Sequence, residues 1–100
     1  MSQYKIYITP QAFQEMKNLP GKIRQRVRNT IDALANETQP ARSKQLNLSI
    51  ESYVVFRVRI DNWRIVYSVD FENKTIDILT VRKRPPYDYG DLADLLSQLD

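Results

Sequence analysis

The 100-residue sequence contains no cysteine and no histidine. The first absence excludes a disulfide framework, thiolate chemistry and a Cys-based metal site. The second removes the usual general base and the commonest zinc ligand. Glycine is scarce at 2 residues, and with 5 prolines and an apolar fraction of 42% the composition is that of an ordinary globular chain. No apolar run comes near the roughly 18 residues needed to span a bilayer. The opening MSQYKIYITP has no basic segment followed by an apolar core, so no signal peptide is read. A Gly-rich phosphate loop, a nucleophile elbow and a zinc pattern are also missing. These absences lead to the expectation of one cytoplasmic domain over residues 1–100, with a single core and no metal, cofactor or membrane among its partners.

What is present is positive charge, unevenly spread. The chain has 15 basic and 12 acidic residues, a formal charge of +3. Asp88, Asp91, Asp94 and Asp100 lie in residues 88–100, which hold no Lys or Arg, so residues 1–87 carry 15 basic residues against 8 acidic, a net of +7. A basic body with an acidic tail suits a polyanionic partner, with the tail as shield or counterweight.

Hydrophobic periodicity gives the elements. Gln3 to Thr9 alternates, with Ile6 and Ile8 on one face, and reads as a strand. Thr9-Pro10 is a helix start, because Thr caps well and Pro is tolerated at the first helical position. Phe13 and Met16 then mark a short helix ending near Leu19-Pro20-Gly21. Ile23, Val27, Ile31 and Leu34 form one stripe of a second helix, Gly21 to Glu37, and the two helices read as a hairpin. Thr38 to Asn47 is polar and reads as a loop. From Tyr53 to Arg84, three alternating segments are joined by two short turns. Pairing across Asp61-Asn62 sets Ile60 opposite Trp63 and Arg59 opposite Arg64. Val54, Phe56, Val58, Ile60, Trp63, Ile65, Tyr67 and Val69 then share the buried face. The second turn falls near Asn73-Lys74, and its register stays open because a strict two-residue turn would oppose Asp70 and Asp77. Arg82-Lys83-Arg84 leaves the sheet before Pro85-Pro86. Asp88 to Leu99, with Leu92, Leu95, Leu96 and Leu99 at helical spacing, reads as a short C-terminal helix. The order is β, α, α, β, β, β, α.

The residues that stand out chemically are basic ones mixed with aromatics. Arg57, Arg59 and Arg64 share one sheet face. Arg82, Lys83 and Arg84 follow at the end of the next strand, and Tyr87 and Tyr89 come after them. Arginine forks suit phosphate, and tyrosine rings stack on unpaired bases, so the cluster reads as a single-stranded nucleic-acid site. Like charges directly opposite on a sheet face are destabilising, which makes the Arg59–Arg64 pair hard to explain by folding alone. The competing account is a solvated outer sheet face.

The pattern Tyr53, Arg57-Val58-Arg59, Trp63-Arg64-Ile65-Val66-Tyr67 and Val81-Arg82-Lys83-Arg84 with a nearby Tyr resembles the RelE/ParE toxins of bacterial type II toxin–antitoxin systems. The resemblance covers nearly the whole chain. It implies an α+β, RelE-like fold: an antiparallel twisted sheet of an N-terminal strand plus a three-strand meander, packed against an N-terminal helical hairpin, with a short C-terminal helix. RelE-like members cut mRNA in the ribosomal A site without metal, by attack of the ribose 2′-OH on the adjacent phosphate. ParE-like members instead poison DNA gyrase. Both are neutralised by an antitoxin, here expected to be RelB-like, and a catalytically idle member would act with its antitoxin in autoregulation.

By position, the resemblance makes Arg57 and Arg59 the basic pair that orients the attacking 2′-OH, and Arg64 the arginine that steadies the phosphorane charge. It makes Arg84 the residue near the leaving 5′-oxygen and Tyr87 the base-stacking residue, with Tyr89 also eligible. Arg82, Lys83 and Tyr89 are expected to contact RNA. RelE-like enzymes often have Lys at the first two positions, and a guanidinium is a poor proton acceptor. Positioning and charge stabilisation therefore suit Arg57 and Arg59 better than general-base work, and the proton acceptor is left unassigned. Strand alternation offers Lys83 in place of Arg84, because an unbroken strand puts Lys83 on the face of Val81 and Val66. Both stand at this point.

Overall fold

A computed structural model describes residues 3–50 and 53–83, without the side chains of 47–50. The elements are β1 (Lys5–Ile8), α1 (Pro10–Lys17), α2 (Gly21–Leu34), β2 (Ser43–Ile50), β3 (Tyr53–Ile60), β4 (Trp63–Asp70) and β5 (Thr75–Lys83). The strands form one sheet in the order β1-β5-β4-β3-β2. The α+β class, the paired helices and the three-strand meander are as expected. The sheet differs in two ways. It gains a strand, β2, where Ser43 to Asn47 was expected to be loop, and β2 pairs antiparallel with β3. It is also mixed, because β1 runs parallel to β5 from Lys5↔Thr75 to Ile8↔Ile78. The expected C-terminal helix, Asp88 to Leu99, lies outside the described residues.

Each helix end has a visible cause. Thr9 Oγ1 accepts the Ala12 N–H at 3.2 Å and donates to Ile78 O at 3.0 Å, so the cap of α1 also ties it to β5. Arg24 of α2 donates to Lys17 O at 3.2 Å and Leu19 O at 2.9 Å, satisfying carbonyls at the end of α1. The helix stripe of Val27, Ile31 and Leu34 is buried as its spacing predicts, although α2 ends at Leu34 and not Glu37.

The core lies between the helices and one sheet face. Ala12, Met16, Leu19, Val27, Ile31 and Leu34 meet Phe56, Val58, Ile60, Ile65, Tyr67, Val69, Ile76, Ile78 and Val81. Tyr67 is fully buried, stacks on Phe56 at 5.7 Å between centroids, and donates from Oη to Thr38 O at 2.7 Å. Burial pushes its phenol up to about 12.

Two turns set the registers. Asp61 takes a left-handed φ of 51° in the first, and the pairs Ile60↔Trp63 and Arg59↔Arg64 form as the sequence predicts. The second joins Asp70↔Thr75, so four residues connect β4 to β5, with Lys74 at φ 56°. Asp70 holds this turn, accepting from Glu72 N, Asn73 N and Asn73 Nδ2. The Asn73 side chain is the largest cause keeping its carboxyl below the usual range. Further along, Tyr67↔Ile78 and Val66↔Thr80 leave Leu79 as an extra residue on β5, a β-bulge.

Candidate nucleic-acid interface

Registers decide which cations meet. Directly paired residues on neighbouring strands project from the same face. Arg59↔Arg64 and Arg64↔Arg82 therefore line up three arginines on β3, β4 and β5. With strands about 4.7–4.9 Å apart, the row spans about 10 Å at the backbone. The next row on this face runs Lys44↔Arg57↔Val66↔Thr80. Five cations, Lys44, Arg57, Arg59, Arg64 and Arg82, thus share the face turned away from the helices.

Their settings differ. Arg59 and Lys44 are exposed, Arg57 and Arg82 are half-buried, and Arg64 is only 7% exposed. Arg64 Nη1 donates to Asp61 O at 3.1 Å and Trp63 O at 3.0 Å, bracing the β3–β4 turn. Arg82 Nε donates to Thr80 Oγ1 at 3.1 Å. Asp77 is on the same face, opposite Ser68, and burial, aided by Asp70, pushes its carboxyl up. Arginines at paired positions beside the fully buried Val55 and Val66 concentrate positive charge on an apolar footing, an arrangement whose chemistry suits an anion.

The structure brings together Arg57, Arg59, Arg64 and Arg82. It does not put Lys83 with them. Lys83 pairs with Trp63, on the helix-side face, because the bulge at Leu79 shifts the alternation by one residue. Val81 and Val66, expected on one face, are for the same reason on opposite faces. Arg82 and Lys83 also remain within β5 and do not leave the sheet. Arg84, Tyr87 and Tyr89 lie outside the described residues. Sequence reasoning missed Lys44, which it placed in a loop. The alternation of Leu46, Leu48 and Ile50 was the signal that a strand begins there. It also missed Glu15 and Thr80, for which a single sequence holds no local signal.

Comparison with known proteins gives the class. The family model described as the ParE toxin of type II toxin–antitoxin system, parDE, matches residues 6–85. The archaeal RelE–RelB complex from Pyrococcus horikoshii is similar at 26% identity and a TM-score of 0.75, over 86% of this chain and 99% of that one. The RelBE2 toxin–antitoxin complex from Mycobacterium tuberculosis is similar at 26% identity and a TM-score of 0.68, over 82% and 99%. The RelB–RelE complex from Methanococcus jannaschii follows at 25% and 0.63, over 82% and 95%. No curated protein sequence matches. The chain belongs to the ParE toxin family of type II toxin–antitoxin systems, within the RelE/ParE superfamily. Among the described residues, no helix is long and apolar enough to cross a membrane.

Proposed function

We propose that this toxin is a ribosome-dependent endoribonuclease that cuts mRNA in the A site, through attack of the 2′-OH on the adjacent phosphate, and that a RelB-like antitoxin silences it. The observation that carries this reading is the cross-strand row Arg59–Arg64–Arg82 with Arg57 and Lys44 beside it. Like charges at paired positions on neighbouring strands repel one another, and a phosphate among them turns that repulsion into attraction. In this reading Arg57 and Arg59 orient the attacking hydroxyl, and Arg64 and Arg82 meet the charge that grows on the phosphate. Arg84 and Tyr87 complete the site at the leaving oxygen and the base, with Lys83 and Tyr89 as flanking RNA contacts. Support also comes from toxin–antitoxin complexes among the similar structures. The test is induction in growing cells with and without the antitoxin, followed by primer extension on translated messages. New 5′ ends within codons, seen only without antitoxin, are expected; uncut messages with intact growth would sink the reading.

A second reading is favoured by one observation, the match to the ParE family model. As a gyrase poison, the chain would raise DNA-damage signalling while messages stay intact, and arrest would survive Arg64→Ala.

A further inference from the structure

Arg82, Thr80 and Glu15 form a relay. Arg82 Nε donates to Thr80 Oγ1 at 3.1 Å, and the same hydroxyl donates to the Glu15 carboxylate, 2.7 Å from Oε1 and 3.0 Å from Oε2. Glu15 Oε1 also accepts the Val81 N–H at 3.1 Å. Donor and acceptor roles run one way, from guanidinium to hydroxyl to carboxylate. Thr80 is fully buried, so its two bonds are made away from water, where those to charged groups are strongest.

The relay arises from topology. Pairing of β1 with β5 ends at Ile8↔Ile78, and the chain turns into α1. The outer edge of β5 beyond that point is left for α1 to cover, and Glu15 takes the Val81 N–H there. Edge coverage explains the bond to Val81 but not the bonds through Thr80 to a cation of the arginine row.

We propose that Glu15 and Thr80 are positioning residues, holding the guanidinium plane of Arg82 for a phosphate of single-stranded RNA. An arginine fork makes two parallel bonds to a phosphate only when its plane is set, and a bond at Nε sets it. The inference rests on the mRNA-cleaving reading and deepens it by naming the groups that prepare Arg82.

The test measures cleavage of mRNA on programmed ribosomes by the full chain, with melting temperature recorded alongside, for Thr80→Val, Arg82→Ala and the double variant. Thr80→Val is expected to lower kcat by about tenfold with a smaller change in KM, as misorientation does. Thr80→Ser, which keeps the hydroxyl, restores the rate. In the Arg82→Ala background Thr80→Val costs nothing further. An unaffected Thr80→Val, or a loss that simply adds to that of Arg82→Ala, overturns the inference and leaves the mRNA reading standing. Lack of cleavage by the unaltered chain takes down both. Should Thr80→Val not fold, Glu15→Gln serves: a loss only while Arg82 is present supports the relay, and equal losses in both backgrounds overturn it.

Discussion

The two faces of β3, β4 and β5 are made by alternate residues of the same strands, yet they answer to different demands. Toward the helices, Phe56, Val58, Ile60, Ile65, Tyr67, Val69, Ile76, Ile78 and Val81 close a continuous core. Burial of such groups is the main drive for folding, and each of them works for it. Away from the helices, the strands set Arg59, Arg64 and Arg82 side by side. That row sets like charges on neighbouring strands, which costs stability, while Arg64 is held by carbonyls of the β3–β4 turn and Arg82 through Thr80 by Glu15. The faces also differ in how they tolerate change: the first fails by losing volume, the second by losing charge at a given place.

Arg64 belongs to both demands, so it is where the comparison breaks most sharply. Its removal to Ala should raise the barrier to RNA cleavage by about 2.7–4 kcal/mol, the cost of one preorganised stabiliser. Because its Nη1 braces Asp61 O and Trp63 O, the melting temperature should also fall. Kinetics on the folded fraction, beside thermal unfolding, separate the two losses. Unchanged cleavage with a lowered melting temperature would make Arg64 a structural brace alone.

A smaller effect is expected on the core face. Tyr67→Phe keeps the ring stacked on Phe56 and removes the bond to Thr38 O, at a cost of about 0.5–1.5 kcal/mol at neutral pH. The buried phenol resists ionisation up to about 12, whereas in the unfolded chain it ionises near 10. Its contribution is therefore whole below pH 10 and is lost as pH rises toward 12. Denaturant unfolding across that window should show the gap between the two proteins closing and then reversing. A gap independent of pH would contradict the burial of this hydroxyl.

The smallest change in stability sharpens the contrast by its sign. Arg59→Ala removes one of two like charges at an exposed position and should leave stability unchanged or raise it by about 0.2–1 kcal/mol, while cleavage falls. A loss of stability on that substitution would return the arginine row to the ordinary work of folding.

Much of this arrangement is legible in the sequence because it rests on local rules. Two-residue alternation identifies the core side of β3 and β4, and the short turn at Asp61-Asn62 fixes Arg59 opposite Arg64 with no knowledge of the rest. The readings that fail depend on distant partners. Ser43 to Asn47 is mostly polar, with apolar alternation starting only at Leu46, and it is strand from Ser43 because β3 offers it an edge. The parallel match of β1 to β5 joins residues about seventy positions apart. Glu15 meets Thr80 across 65 residues, so nothing near either one announces the contact. Assigning Lys83 to the arginine face fails for a different reason, since alternation counted through Leu79 as if the ladder were regular.

That extra residue also bears on how relatives are to be lined up with this chain. Leu79 is absorbed within the ladder, so Ile78 and Val81 both face the helices although three positions separate them, and Arg82 comes out beside Arg64. A relative one residue shorter here would still present the equivalent basic side chain, provided the alignment gap is set inside the strand at 79. Shifting that gap beyond Lys83 would match the relative's arginine to Val81 and its next residue to Arg82, and the two proteins would look chemically different where they are the same.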